Sequence, residues 1–407
     1  MPVRIGNTFR SLRHFNYRAW AAGALISNVG TWMQRTAQDW LVLTQLTPHN
    51  ASAVGITMSL QFGPALVLLP WTGFAADHFN QRRLLMATQA ALGLLALVLG
   101  ALTLTGVVRL WHVYLLALLQ GCAAAFDAPV RQTFVGELVG TEDLPNAVAL
   151  NSTSFNAGRM IGPGVSGLVI ASIGTGWSFI ANGLSFGAVL ASLALLRKSE
   201  LHPNARAPSA KGSLAQGVRY TARRPDLMAN LIMLFFVCTF GMNFPIFIST
   251  MAVQVFHADA RGYGLLTSAM ALGTIAGALL AAGRQPRFVK LMTGSAVFAL
   301  GCALAAISPG YMFFAGALVL IGIAAMTFTN TSNSLMQLNT EPAMRGRVMA
   351  LRMAIVQGCT PLGAPLVGWV ADHPGPRWSL AVGAASGLIS AAVALWYVRA
   401  GKVRWGD

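Results

Sequence analysis

Charged side chains are scarce in this sequence. They make up 10% of its 407 residues, and only 12 residues are acidic. In soluble domains about a quarter of the residues are charged, so the composition excludes a soluble protein of this length. Hydrophobic residues account for 55% of the chain, which is typical of a protein that lies within a lipid bilayer.

The sequence also has few cysteines. All four fall within apolar stretches, and no two have CxxC spacing, which argues against disulfides and against a metal site. No GxxxxGK[ST] motif occurs, so the chain lacks a phosphate-binding loop for ATP. No cofactor is expected. The cysteines are Cys122, Cys238, Cys302 and Cys359.

Long apolar runs recur along the whole chain. A helix needs about 20 apolar residues to cross the hydrocarbon core of a membrane, and twelve runs reach about that length. The sequence therefore predicts an all-α membrane protein with twelve transmembrane helices. The predicted spans are 18–43, 52–76, 84–106, 111–136, 147–171, 174–196, 226–251, 262–283, 289–308, 310–335, 347–371 and 378–398.

The segment 146–185 returns one half-length later in the chain. When Leu150 is aligned with Leu351, an offset of 201 residues, nine positions match. Duplicated halves with Gly- and Pro-interrupted apolar segments are typical of secondary transporters. The matches are Ala149/Ala350, Leu150/Leu351, Gly162/Gly363, Gly167/Gly368, Val169/Val370, Gly174/Gly375, Trp177/Trp378, Ser178/Ser379 and Ser185/Ser386.

The net charge of +16 does not indicate nucleic-acid binding, because the basic residues sort by side of the predicted membrane. With the N-terminus inside, 21 basic residues fall in inner segments, and three (Arg109, Arg261 and Arg377) fall in outer loops. This asymmetry follows the positive-inside rule and predicts that both termini are cytoplasmic. The basic segment 197–225 is predicted to be a cytoplasmic linker.

The first span carries the densest polar cluster of the apolar segments. Its four members share one face of a helix, and Arg35 and Asp39 have the i, i+4 spacing of a pair. Ionisable groups within a span usually face a cavity or a partner, so we expect a substrate or proton-coupling site here. A structural ion pair near the outer interface is the alternative. The cluster consists of Gln34, Arg35, Gln38 and Asp39.

The second span ends in GFAADHFNQRR, which resembles the signature loop of the major facilitator superfamily. That loop joins the second and third helices on the cytoplasmic side, where the charge asymmetry also places it. His78 stands where arginine is usual, and Asn80 stands where glycine is commoner. The resemblance implies a cytoplasmic gate, with Asp77 near the start of the eleventh helix. For the basic pair, topology signalling alone is the alternative. The residues assigned to the gate from this loop are Gly73, Asp77, Arg82 and Arg83.

The fourth span ends with a further acidic and basic residue. Asp127 is close enough to the membrane edge to pair with Arg82 or with Arg131. Such a pair would add a latch to the cytoplasmic gate. An interfacial salt bridge without a mechanical role remains the alternative.

The fifth span resembles the kinked fifth helix of superfamily antiporters. Small residues permit close helix crossing, and proline removes one backbone hydrogen bond. Ordinary helix packing is the alternative. Arg159 lies too deep in this span for easy snorkelling, so we expect it to line the substrate cavity, together with Asn156 and its repeat mate Gln357. The motif consists of Gly158, Gly162, Pro163 and Gly167.

The resemblance covers essentially all the spans, and the closer likeness is to the bacterial branch of the superfamily that includes the enterobactin exporter. The residues that carry it are 73–83, 129–137, 146–167 and 341–368. It implies two pseudo-symmetric six-helix bundles, 1–196 and 226–407, joined by the linker 197–225. It further implies a monomeric transporter, and not an enzyme, in the bacterial cytoplasmic membrane. Proton influx would drive export of a small molecule such as a drug, siderophore or metabolite by alternating access.

Two other functions fit the same helices. An importer is disfavoured mainly by the motif of the fifth span. A lipid flippase or a sensor would use the bundle without pumping. No histidine falls in the middle of a span, so a histidine proton relay is not expected. Asp39 is left as the main carboxylate able to carry a proton within the membrane.

Overall fold

The computed structural model of the protein describes residues 9–202, 214–282 and 285–403, apart from the side chains of Pro70, Ala76, Asp77, Leu214 and Ala282. Regular structure within these ranges is helical, without strands. The α-helices are α1 (Phe15–Trp40), α2 (Ala51–Val67), α3 (Leu69–His78), α4 (Gln81–Leu104), α5 (Leu110–Ile173), α6 (Thr175–Ala194), α7 (Leu214–Ala222), α8 (Pro225–Phe236), α9 (Phe244–Thr250), α10 (Ala260–Ala282), α11 (Phe288–Ala306), α12 (Tyr311–Leu338), α13 (Pro342–Asp372) and α14 (Pro376–Arg399).

The all-α class is as predicted, and each predicted span overlaps a described helix. Among the described residues, nine helical segments are long and apolar enough to cross a membrane. Helix α1 is outside that set. Its buried face carries several polar side chains, which lower its hydropathy. The second predicted span is divided after Val67 into α2 and α3, and Pro70 lies in the first turn of α3, where its missing N–H leaves no bond unmade.

The predicted fourth and fifth spans are not separated by an irregular loop. The label α5 covers two helices that meet at a kink at Gly140, the residue of Leu110–Ile173 with non-helical dihedrals, φ 73° and ψ −177°. Glycine tolerates this positive φ because it has no Cβ. The kink at Gly140 therefore separates the helix that contains the predicted fourth span from the helix that contains the predicted fifth span.

By residue proximity, the chain divides into two compact units. The first contains Met1–Leu41 and Pro64–Ala207, and the second contains Val42–Gly63 and Pro208–Asp407. The boundary after Ala207 falls within the predicted linker, while the segment Val42–Gly63 groups with the C-terminal part of the chain. The assignment of bundles to 1–196 and 226–407 stays a prediction.

Hydrogen bonds and ion pairs join the segment before α1 to residues in the middle of α5. Ser11 Oγ, in a short 3₁₀-helix, donates hydrogen bonds to the Asp143 carbonyl at 3.1 Å and to Asn146 Oδ1 at 2.8 Å. The Asp143 carboxylate pairs with His14 and Arg10. The hydrogen bond from His14 and the charge of Arg10 lower the pKa of Asp143. This contact is therefore complete above the ordinary aspartate pKa and is lost as the pH falls through the lowered value.

The backbone conformation explains why both copies of the sequence repeat have a glycine near their end. Gly174 and Gly375, which are repeat mates, have φ values of 98° and 115°, a region that L side chains rarely adopt. Each glycine immediately precedes a helix, α6 or α14. Trp177 and Trp378 follow three residues later, and both are exposed, as expected for aromatic residues at a membrane interface.

Candidate functional site

The indole ring of Trp32 in α1 contacts two guanidinium groups. The guanidinium carbon of Arg35 lies 4.8 Å from the ring centroid, and that of Arg159 in α5 lies 5.5 Å away. An aromatic face attracts cations, so the indole offsets part of the repulsion between the two arginines. Phe155 packs edge-on against the indole, with 5.7 Å between ring centroids. We call Trp32, Arg35, Phe155 and Arg159 the Trp32 cluster.

The remaining polar residues of the first span extend this cluster along α1. Gln34 Oε1 accepts a hydrogen bond of 2.6 Å from Asn182 Nδ2 in α6. Gln38 Oε1 is buried and has no hydrogen-bond partner among the described residues. Asp39 is 8% exposed, and its carboxylate interacts electrostatically with Arg35. One face of α1 therefore carries the Asp39 carboxylate, the Arg35 guanidinium and the unsatisfied Gln38 amide oxygen. The Arg159 guanidinium of α5 lies beside that face.

Glycines in α5 allow the cluster to assemble. A Cβ on Gly158 would lie 2.8 Å from the Asn28 carbonyl carbon, and one on Gly162 would lie 2.6 Å from Trp32 Cβ. Real Cβ atoms do not approach so closely, so α1 and α5 can be this near only because both positions lack a side chain. Arg159 follows Gly158 directly and is thereby held beside Trp32.

The other two members of the kinked-helix motif are Pro163 and Gly167. Both are buried in α5. The backbone keeps helical φ and ψ through Pro163, since the non-helical position of α5 is Gly140. The antiporter-type role of this motif stays a prediction.

Asn156 and Gln357 were predicted to line the substrate cavity. The Asn156 amide donates a 2.8 Å hydrogen bond to the Ser152 carbonyl of its own helix. Asn156 belongs to the first unit, and Gln357, in α13, belongs to the second; both are partly buried. Their assignment to the cavity stays a prediction.

Both carboxylate oxygens of Asp127, a residue of the predicted cytoplasmic gate, accept hydrogen bonds. Oδ1 accepts hydrogen bonds from Thr88 Oγ1 at 2.8 Å and from Gln89 Nε2 at 2.7 Å, and Oδ2 accepts from Arg131 Nε at 2.9 Å. Of the two partners that the sequence allows, Asp127 pairs with Arg131. Arg82 instead donates to the carbonyls of Leu193 and Ala194, near the C-terminal end of α6, where a cation is favoured.

The signature loop departs from the usual pattern at Asn80, and the structure shows what the asparagine does there. Its Oδ1 accepts a 3.1 Å hydrogen bond from the Arg83 N–H and caps the N-terminus of α4. Gly73 is exposed, with open space around it. The Asp77 side chain lies outside the described part of the structure, so its gating role stays a prediction.

The second unit contains a cavity of about 650 Å³ between α10, α11 and α12. Its lining includes the polar residues Asn330, Thr331 and Asn333, together with Lys290. Lys290 Nζ donates a 2.5 Å hydrogen bond to the Gln285 carbonyl. The cavity is distinct from the Trp32 cluster, which belongs to the first unit.

Sequence reasoning missed several residues of the site. Trp32 looked like an ordinary apolar residue of a span, although its i, i+3 spacing from Arg35 was a usable signal. Asn182, which bonds to Gln34, is a polar residue in the middle of an apolar helix. Thr88 and Gln89 are polar neighbours within α4 whose partner, Asp127, is 38 to 39 residues away.

The described residues form helices without strands, with paired glycine motifs and a charged cluster inside a predicted span. This is the organisation of a secondary transporter. A family model described as "Transmembrane secretion effector" matches residues 6–404. The chain therefore belongs to the transmembrane secretion effector family of the major facilitator superfamily, as its resemblance to that superfamily predicted.

Individual proteins support the same assignment. The chain is 26% identical to the Staphyloferrin A transporter of Staphylococcus aureus, covering 84% of this chain and 86% of that protein. It is 27% identical to the enterobactin exporter EntS of Escherichia coli O1:K1, covering 80% and 79%. The crystal structure of the nucleoside transporter NupG aligns with a TM-score of 0.76 at 11% identity, covering 94% of this chain and 99% of NupG, which shows the major facilitator fold.

Proposed function

We propose that the protein is a proton-coupled exporter of a small molecule that carries an anionic group, and that it works by alternating access. The supporting observation is the Trp32 cluster. Arg35 and Arg159 contact one indole, and the carboxylate that interacts with Arg35 is that of Asp39. Two cations and one anion leave excess positive charge deep in a predicted span. A negatively charged substrate group would compensate that charge.

The proposed roles divide between the two arginines. Arg159, next to the aromatic rings of Trp32 and Phe155, holds the anionic group while the rings contact the apolar part of the substrate. Arg35 stays with Asp39 and controls how strongly that carboxylate holds a proton, because a nearby cation favours the charged form. Movement of Arg35 between the two states of the transporter then couples substrate release to proton loading.

Export is favoured over import by two observations. The Gly158 to Gly167 motif resembles that of superfamily antiporters, and one of the relatives is named as an exporter. We place the protein in the bacterial cytoplasmic membrane as a monomer with both termini inside. Gly73, Asp77, Arg82 and Arg83 form the cytoplasmic gate, with Asp127 and Arg131 bracing it from α5.

We expect Arg159→Ala to weaken substrate binding by about tenfold to a hundredfold, the usual contribution of a hydrogen bond to a charged group. The measurement is thermal stabilisation of the purified protein across a panel of siderophores, drugs and acidic metabolites, followed by titration of each compound that stabilises the wild type. Arg109→Ala, which removes an exposed basic residue of a predicted outer loop, is the control. If Arg159→Ala and the wild type bind the compound with equal affinity, Arg159 is not part of the substrate site.

A further inference from the structure

Two helices that lie far apart in the sequence end in the same short motif. Helix α3 ends in GFAADH, from Gly73 to His78, and α13 reaches GWVADH, from Gly368 to His373. This correspondence lies outside the 201-residue repeat, since the two motifs are 295 residues apart (368 − 73). The first copy is part of the signature loop. The second has not been assigned a role so far.

The two copies also share a local structure. His78 Nδ1 donates to the Phe74 carbonyl at 2.9 Å, and His373 Nδ1 donates to the Trp369 carbonyl at 3.0 Å. Each imidazole stacks on the aromatic ring one turn earlier, with centroids 3.9 Å and 4.6 Å apart. The aspartate of each motif therefore precedes a histidine that is held in the same way.

In the second copy, the aspartate caps a helix from a distant part of the chain. Asp372 Oδ1 accepts a hydrogen bond from the Ala51 N–H at 2.6 Å. Its Oδ2 accepts from the Ser52 N–H at 2.8 Å and from Ser52 Oγ at 2.5 Å. The next backbone N–H of α2, that of Ala53, donates a 2.8 Å hydrogen bond to Asn50 Oδ1. A carboxylate at this end of a helix satisfies backbone donors and complements the helix dipole.

Small residues bring α2 and α13 together along the same stretch. A Cβ on Gly368 would lie 2.6 Å from the Ala51 carbonyl oxygen, and one on Gly55 would overlap the Ala364 carbonyl. Further along, Ser59 Oγ donates to the Pro361 carbonyl at 2.9 Å. As residue numbers rise along α2 they fall along α13, so the helices run antiparallel, and Asp372 closes one end of their contact.

The Asp372 cap is accessible from a cavity. A cavity of about 450 Å³ is lined by Asp372, Asn50, His49 and His257, among other residues. Hydrogen bonds next to water can be exchanged for bonds to solvent at little net cost. The cap can therefore be made and broken in solution, unlike an ion pair sealed in a protein interior.

We propose that Asp372 and Ser52 form an outer latch of the transport cycle, which must open whenever the outer side of the transporter opens. The proposal rests on the proposed alternating-access transport. The predicted domain boundaries place α2 in the first bundle and α13 in the second, so the cap joins the two predicted bundles. With the N-terminus inside, the motif of α13 lies at the outer side and that of α3 at the inner side. The copy of the motif in α13, with Asp372, thus serves the outer gate, and the copy in α3, with Asp77, serves the inner gate.

The test is a distance measurement between spin labels at Thr105 and Pro309, exposed residues at the predicted outer ends of the third and ninth spans, after replacement of the four native cysteines. We expect Asp372→Asn to raise the ratio of long to short outer distances about tenfold, since it removes a charge-assisted cap. Ser52→Ala should give a smaller shift in the same direction. Asp77→Asn should shift the ratio in the opposite direction, because it weakens the inner gate.

Asp259→Asn is the matched control. Asp259 Oδ1 accepts a 2.9 Å hydrogen bond from the Gly262 N–H, so it also caps a helix at the predicted outer side, but within its own chain segment. Its loss should leave the distances unchanged. If the wild type shows two distances and both Asp372→Asn and Ser52→Ala keep its ratio, the latch is refuted and alternating access stands. If the wild type and all variants show a single unchanging distance, alternating access itself is refuted, and the latch with it.

Discussion

Asp39→Asn is expected to abolish proton-driven accumulation of substrate in inverted membrane vesicles and to leave substrate exchange across the membrane intact. Asparagine keeps the size of the side chain and its hydrogen-bonding capacity, but it cannot release or take up a proton in this pH range. The carboxylate of Asp39 is buried beside Arg35, where movement of the guanidinium changes how strongly a proton is held. Without that titration, transport runs only down the substrate gradient.

The control for this experiment is Asp259→Asn, which removes an exposed carboxylate of a predicted outer loop and should pump like the wild type. Arg159→Ala should show a third pattern, with weaker binding but accumulation still driven by the pH gradient at saturating substrate. Pumping by Asp39→Asn at the wild-type rate under an imposed pH gradient would place the coupling site elsewhere. Asp127 would then be the next carboxylate to test.

Gly363→Ala is expected to destabilise the protein by about 3 kcal/mol or more, the upper range for overpacking a well-packed interior. A Cβ at this position would overlap the carbonyl oxygen of Thr239, and a backbone oxygen cannot move aside as a flexible side chain can. Helix α13 would have to separate from the π-helical turn Val237–Gly241. The measurement is the melting temperature and the yield of monodisperse protein.

Gly346→Ala is a control in the same helix. A Cβ there meets no atom within 4 Å, and alanine is the better helix former by about 1 kcal/mol. That variant should therefore melt at the wild-type temperature or higher. Equal melting temperatures for Gly363→Ala and Gly346→Ala would show that α13 does not pack as closely as described.

The features that depend on local sequence could be predicted. Apolar runs marked the spans because the bilayer requires about 20 apolar residues per helix. The repeat identified Gly162 and Gly363, both of which face backbone or Cβ atoms of another helix, and Gly174 and Gly375, both with positive φ. In each case a close contact or a positive φ requires a residue without a Cβ at that position. The glycine in the sequence therefore indicates the structural requirement.

Features that depend on distant parts of the chain could not be predicted. Asp372 looks like the end of a helix, and nothing near it in the sequence shows that it bonds to Ala51 and Ser52, 321 and 320 residues away. Asp127 had two basic candidates, and the choice between them is made by the position of α6, whose C-terminal carbonyls take Arg82.

The central claim, proton-driven export, is tested most directly in inverted membrane vesicles that contain the wild-type protein, with a compound that stabilises it. The interior of an inverted vesicle corresponds to the outside of the cell. An acidic interior therefore reproduces the inward proton gradient of the cell. We predict that the compound accumulates inside and that the interior becomes less acidic as protons leave in exchange. Accumulation only when the gradient is reversed, or at a rate independent of the gradient, would contradict the proposal.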